Sequence, residues 1–161
     1  MDVAQMLKMS QAELDDLFRA SPAGTIPKGE GDGTAIVAPG TELSEVAARV
    51  VNLLAWRGKV FDPASGTLRN RILPFGARAI VAKVSQDVSW FDGKQCTVLD
   101  YSRTSRVAHR VRDEMREVAP NIYLGIVFWG EEKTINFALD FTHLQTRVSL
   151  WRRLLQRLHL A

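Results

Sequence analysis

Cysteine is nearly absent. Cys96 is the single one in 161 residues, so no disulfide can form within the chain, and a reducing compartment, the cytoplasm, is the expected location. Long hydrophobic runs are missing too: no apolar stretch approaches the ~20 residues of a membrane-spanning helix. The N-terminus, MDVAQMLKMSQAELDD, carries acids and lacks the apolar centre of a secretory signal. Histidine is scarce and scattered. His109, His143 and His159 have neither the close spacing nor the cysteine partners of a zinc site, so no metal and no cofactor is expected. Acids are absent from the C-terminal stretch: residues 143–161 hold Arg147, Arg152, Arg153 and Arg157 and no carboxylate. That local +4 leaves the remainder at −1 of the total +3. The basic character belongs to a tail rather than to a stripe across the fold, which argues against nucleic acid as a partner.

What is present has a clear order. Ser10-Gln-Ala-Glu13 reads as a capping box for a helix carrying Leu14, Leu17 and Phe18. Gly29-Glu-Gly-Asp-Gly33 precedes a strand instead of following one and opening a helix, so it reads as a flexible turn, not a nucleotide loop. Residues 42–55 fit a second helix, with Leu43, Val46, Ala47, Val50, Val51 and Leu54 on one face. Strand patterns follow at 34–38, 56–62, 67–73, 77–85, 95–102, 110–118, 121–129 and 133–141, with turns at Pro63–Gly66, Asp92-Gly93 and Pro120-Asn121. Residues 143–160 fit an amphipathic helix, with Leu144, Val148, Trp151, Leu154, Leu155 and Leu158 on its apolar stripe. The expected fold is mainly β with flanking helices: one domain, comprising an extension over 1–32, an antiparallel barrel of about eight strands over 33–141 and the C-terminal helix over 142–161.

Residues 107–118 are ambiguous, because Val107, Val111, Met115 and Val118 also make a helical stripe. As a strand, turning at Pro120-Asn121, the segment pairs Arg112 with Trp129, Glu114 with Val127, Arg116 with Gly125 and Val118 with Tyr123. That register places an Arg–Glu–Arg row and two aromatics on one face. Facing inward, the row is a polar pocket wall; facing outward, it is a charged sheet surface.

The segments WRGKVF at 56–61, SWFDGK at 89–94, LDYSRTS at 99–105 and RDEMREVAPNIYLG at 112–125 resemble a group of small uncharacterised bacterial proteins related to lipocalin-like (calycin) barrels. The resemblance spans roughly residues 56–141. It implies an antiparallel barrel with an internal cavity, makes 112–118 a strand, and carries over no activity or catalytic residue.

Three functions stay open. The first is binding of a small hydrophobic or amphipathic molecule inside the barrel, its polar group anchored by Arg112, Arg116 or Tyr123, with Glu114, Trp129, Asp100, Tyr101 and Phe137 as further candidate contacts. The second is a cofactor-independent isomerase, cyclase or hydrolase with Asp113, Glu114 or Tyr123 in catalytic roles. The third is attachment to a membrane surface or a partner through residues 143–161, with a homo-oligomer also left open.

Overall fold

A computed structural model of the chain describes residues 1–38, 56–72, 80–106 and 108–144, except for the side chains of Trp56, Arg57 and Ile72. Two helices, α1 (Val3–Met6) and α2 (Gln11–Ala20), precede eight strands. These are β1 (Gly29–Ile36), β2 (Trp56–Asp62), β3 (Thr67–Ile72), β4 (Val81–Val88), β5 (Gln95–Asp100), β6 (Val111–Ala119), β7 (Ile122–Trp129) and β8 (Glu132–Asp140). Each strand is antiparallel to the next, and β1 also pairs with β8, closing the barrel. Closure leaves no unpaired edge.

The expected helix over 42–55 lies outside the described residues, as does all of the expected C-terminal helix beyond a first turn at 142–144. Among the described residues no helix is long and apolar enough to cross a membrane. The capping box at Ser10 and Glu13 forms as the spacing predicts, and a second one, Asp2 with Gln5, starts the short α1.

Two expectations are corrected. Gly29–Gly33 is not a turn but the first half of β1, so the barrel begins at Gly29, ahead of residue 33. Its glycines serve a close approach: Gly58 on β2 has φ 135°, and a Cβ there would lie 1.9 Å from the Gly31 carbonyl oxygen. Segment 110–118 is a strand, but its register differs by one. Arg116 pairs with Leu124, Glu114 with Ile126 and Arg112 with Phe128, while Met115 faces Gly125 and Asp113 faces Val127. A bulge at Val118 absorbs the extra residue before the Pro120-Asn121 turn, where Asn121 takes φ 63°. A one-residue slip moves every side chain of the strand to the opposite face.

Two apolar layers result. The interior holds Phe61, Leu68, Leu99, Met115, Tyr123, Val127, Ile135, Phe137, Leu139 and Phe141. The outer layer, with Cys96, Val98, Leu124, Ile126, Phe128 and Ala138, is covered by Met6, Leu14 and Phe18 of the two helices. The ends of the barrel also differ. The C-terminal ends of β1, β3, β5 and β7, with the described connections 101–106 and 130–131, lie at one end, the loop-bearing one; the short turns 63–66, 89–94 and 120–121 lie at the other. Segment 21–28 crosses the short-turn end: Glu117 N donates to Pro22 O (3.1 Å), Gln86 Nε2 to Gly24 O (2.9 Å) and Tyr123 OH to Thr25 O (2.8 Å). Ile26 of that segment packs against the interior cluster.

Candidate functional site

Inward positions in the loop-bearing half of the barrel carry a polar cluster inside an otherwise apolar wall. Lys59 of β2 sits directly across from Asn70 of β3, and Asp113 of β6 directly across from Leu99 of β5. Tyr101 follows the end of β5. All four side chains are buried, Lys59 completely. The Lys59 ammonium donates to Tyr101 OH (2.6 Å), Asp113 Oδ2 (2.8 Å) and Asn70 Oδ1 (2.9 Å). Asn70 Nδ2 donates to Ile80 O (3.0 Å) and to Tyr101 OH (3.1 Å). Tyr101 in turn donates to Asp113 Oδ2 at 3.1 Å. The Phe137 ring lies 5.4 Å from the ammonium.

Burial lowers the pKa of Lys59 below its usual 10.5, opposed by the attraction of Asp113. The same burial, reinforced by the Asp113 carboxylate, raises Tyr101 well above 10.0, so its phenol keeps its proton. Within this network one acceptor is left over. Asp113 Oδ1 is buried and has no hydrogen-bond partner. A buried carboxylate oxygen without a partner carries a desolvation cost that folded proteins seldom leave uncompensated.

Of the residues singled out by sequence, Asp113, Tyr101 and Phe137 meet at this cluster. The others do not. Arg112, Glu114 and Arg116 point to the outer face, where they pin the β4–β5 turn and α2 to the wall. Arg116 donates to both Asp92 carboxylate oxygens (2.7 Å each), to Phe18 O (2.9 Å) and to Gln95 O (3.0 Å). Its hydrogen bonds hold the Asp92 carboxyl below the usual carboxylate range. Glu114 accepts from Ser89 Oγ, from Trp90 N (2.7 Å) and from Arg112 Nε (3.0 Å), and the Arg112 guanidinium lies 4.3 Å from the Trp90 ring centre. The expected Arg–Glu–Arg row therefore exists, on the outside and fully engaged.

Tyr123 faces inward but at the closed end, tied to segment 21–28; burial raises its pKa. Trp129 lies at the loop-bearing end, beneath the Arg110 guanidinium at 5.7 Å. Asp100 caps a turn by accepting from Ser102 N at 2.8 Å. Gly125, which lies across from Met115 and not Arg116, is covered by the Phe137 ring, whose Cζ would lie 2.1 Å from an added Cβ.

Lys59 and Asn70 were not among the sequence candidates. The available signal was parity: Lys59 shares the face of Phe61, and Asn70 that of Leu68. Thr97 was missed as well. It is fully buried on the inward face of β5, and its Oγ1 lacks a partner.

No protein-family model matches the chain, and no curated protein is significantly similar to it. Among solved structures, the crystal structure of a protein from Thermomonospora curvata superposes with a TM-score of 0.62, at 14% identity, covering 86% of this chain and 91% of that one. The two share a fold. At that identity the likeness carries no activity.

Proposed function

We propose that the protein binds one small hydrophobic or amphipathic molecule in the loop-bearing half of its barrel, with the molecule's polar end at the Lys59–Asp113–Tyr101–Asn70 cluster. The observation that carries this reading is the buried Asp113 Oδ1 without a partner. The sequential antiparallel order, with segment 21–28 held across one end, also suits a lipocalin-like binding barrel. The polar anchor moves from the arginines to Asp113, because Arg112 and Arg116 are engaged on the outer face. Native mass spectrometry of the purified full chain is expected to reveal a co-purifying adduct of one small molecule per chain, and Nile red is expected to enter with a saturable, blue-shifted emission. A chain that carries no adduct and takes up no Nile red would sink the reading.

The same open oxygen supports a second reading. In a cofactor-independent isomerase, cyclase or hydrolase, Asp113 Oδ1 would be the base, since the Glu114 oxygens are engaged outside the barrel. Turnover with a pH–rate profile that Asp113→Asn abolishes would favour catalysis over binding.

A further inference from the structure

The polar atoms left open inside the barrel specify a head group. The Lys59 ammonium already meets three acceptors, the Asn70 amide is engaged at both ends, and the Tyr101 hydroxyl both accepts and donates. Among the described residues two buried inward polar atoms remain without a partner: Asp113 Oδ1, which only accepts, and Thr97 Oγ1, which donates or accepts. Thr97 pairs with Met115 and Leu99 pairs with Asp113, so Thr97 and Asp113 are diagonal neighbours on adjacent strands. Diagonal neighbours on one face are about 7–8 Å apart, within reach of a single small molecule.

Charge narrows the choice. Among the described residues, Lys59 is the cation buried inside the barrel, and Asp113 already holds it at 2.8 Å. A carboxylate ligand would bring a second anion toward Asp113. An amine would bring a second cation beside Lys59 in a medium of low dielectric. An uncharged donor fills the open valence without upsetting the balance. The geometry points to an uncharged amphipathic molecule bearing a hydroxyl or amide N–H, which donates to Asp113 Oδ1 and presents a second polar contact to Thr97 Oγ1. This rests on the reading that the barrel interior holds a ligand.

Isothermal titration of the full chain at pH 7 with 1-decanol, decyl methyl ether, decanoate and decylamine tests it. Decanol is expected to bind about tenfold more tightly than each of the others, the worth of one hydrogen bond to a charged acceptor. Equal binding of decanol and the ether, as when a water alone completes the carboxylate, overturns the donor assignment. Decanoate or decylamine binding as tightly as decanol overturns the charge argument. In both cases Nile red uptake persists, and its loss is what marks failure of the barrel reading itself. Thr97→Val removes the hydroxyl while leaving the ion pair intact. It is expected to stabilise the empty protein and to weaken decanol binding several-fold; unchanged decanol affinity overturns the Thr97 contact.

Discussion

Gly58 holds φ 135° with its backbone against Gly31, so a side chain there meets both strain and a carbonyl that cannot move aside. Gly58→Ala is expected to cost more than about 3 kcal/mol in urea denaturation, or to abolish folding. Gly93→Ala, at φ 71° with nothing within 4 Å, should cost only about 1 kcal/mol. The neighbouring Lys59 behaves differently, since its loss strands a charge rather than creating a clash. Lys59→Met alone should destabilise by about 3–5 kcal/mol, while Lys59→Met with Asp113→Leu should recover most of that loss; a double-mutant cycle measures both. Asp113 and Tyr101 were legible as candidates because carboxylates and phenols draw attention in any barrel. Lys59 was not. A lysine in mid-strand normally points to water, and only its parity with Phe61 indicates otherwise.

At the scale of elements, strand positions were readable and strand faces were not. The eight runs of alternating or β-branched residues lie close to the observed strands, and the tight turns at Asp92-Gly93 and Pro120-Asn121 mark the hairpins. The face of β6 was hidden because one bulged residue, Val118, reverses inside and outside over the whole strand. Its outward Arg116 links three elements: Asp92 of the β4–β5 turn, Phe18 of α2 and Gln95 of β5. Arg116→Lys keeps the charge but cannot reproduce this fork of contacts, and should cost about 2–3 kcal/mol in thermal or urea unfolding. The same variant loosens α2 over the outer layer that buries Cys96, so labelling by a thiol reagent should quicken relative to the unaltered protein. Equal labelling rates would mean that α2 is held without the Arg116 contacts, by its apolar face and by the Gln11–Asn136 and Asp15–Lys133 pairs.

For the whole molecule, Cys96 gives stability an alkaline dependence. Burial, with the Glu114 charge nearby, pushes its thiol from 9.0 up to about 12. Between those values the unfolded chain has released a proton that the folded one keeps, so this contribution to stability falls as pH rises from 9.0 toward about 12. The lowered Lys59 acts in the opposite sense as pH approaches 10.5, since there the unfolded chain holds the extra proton. The difference between the unaltered protein and Cys96→Ala therefore isolates the thiol. Urea midpoints measured from pH 8 to 11 should converge as pH rises if Cys96→Ala is the less stable at pH 8. The barrel class itself was the most legible property of the chain, because it rests on many short strands and turns rather than on any one residue. Its closure has a consequence in time. The seam between β1 and β8 joins residues about a hundred positions apart, and β8 also brings the Phe137 ring to the polar cluster. During synthesis the wall therefore stands open until nearly the last strand has left the ribosome, with β1 and β7 as bare edges and Lys59 and Asp113 still wet. The interior is a late product of the chain, closed off only once synthesis has passed Asp140.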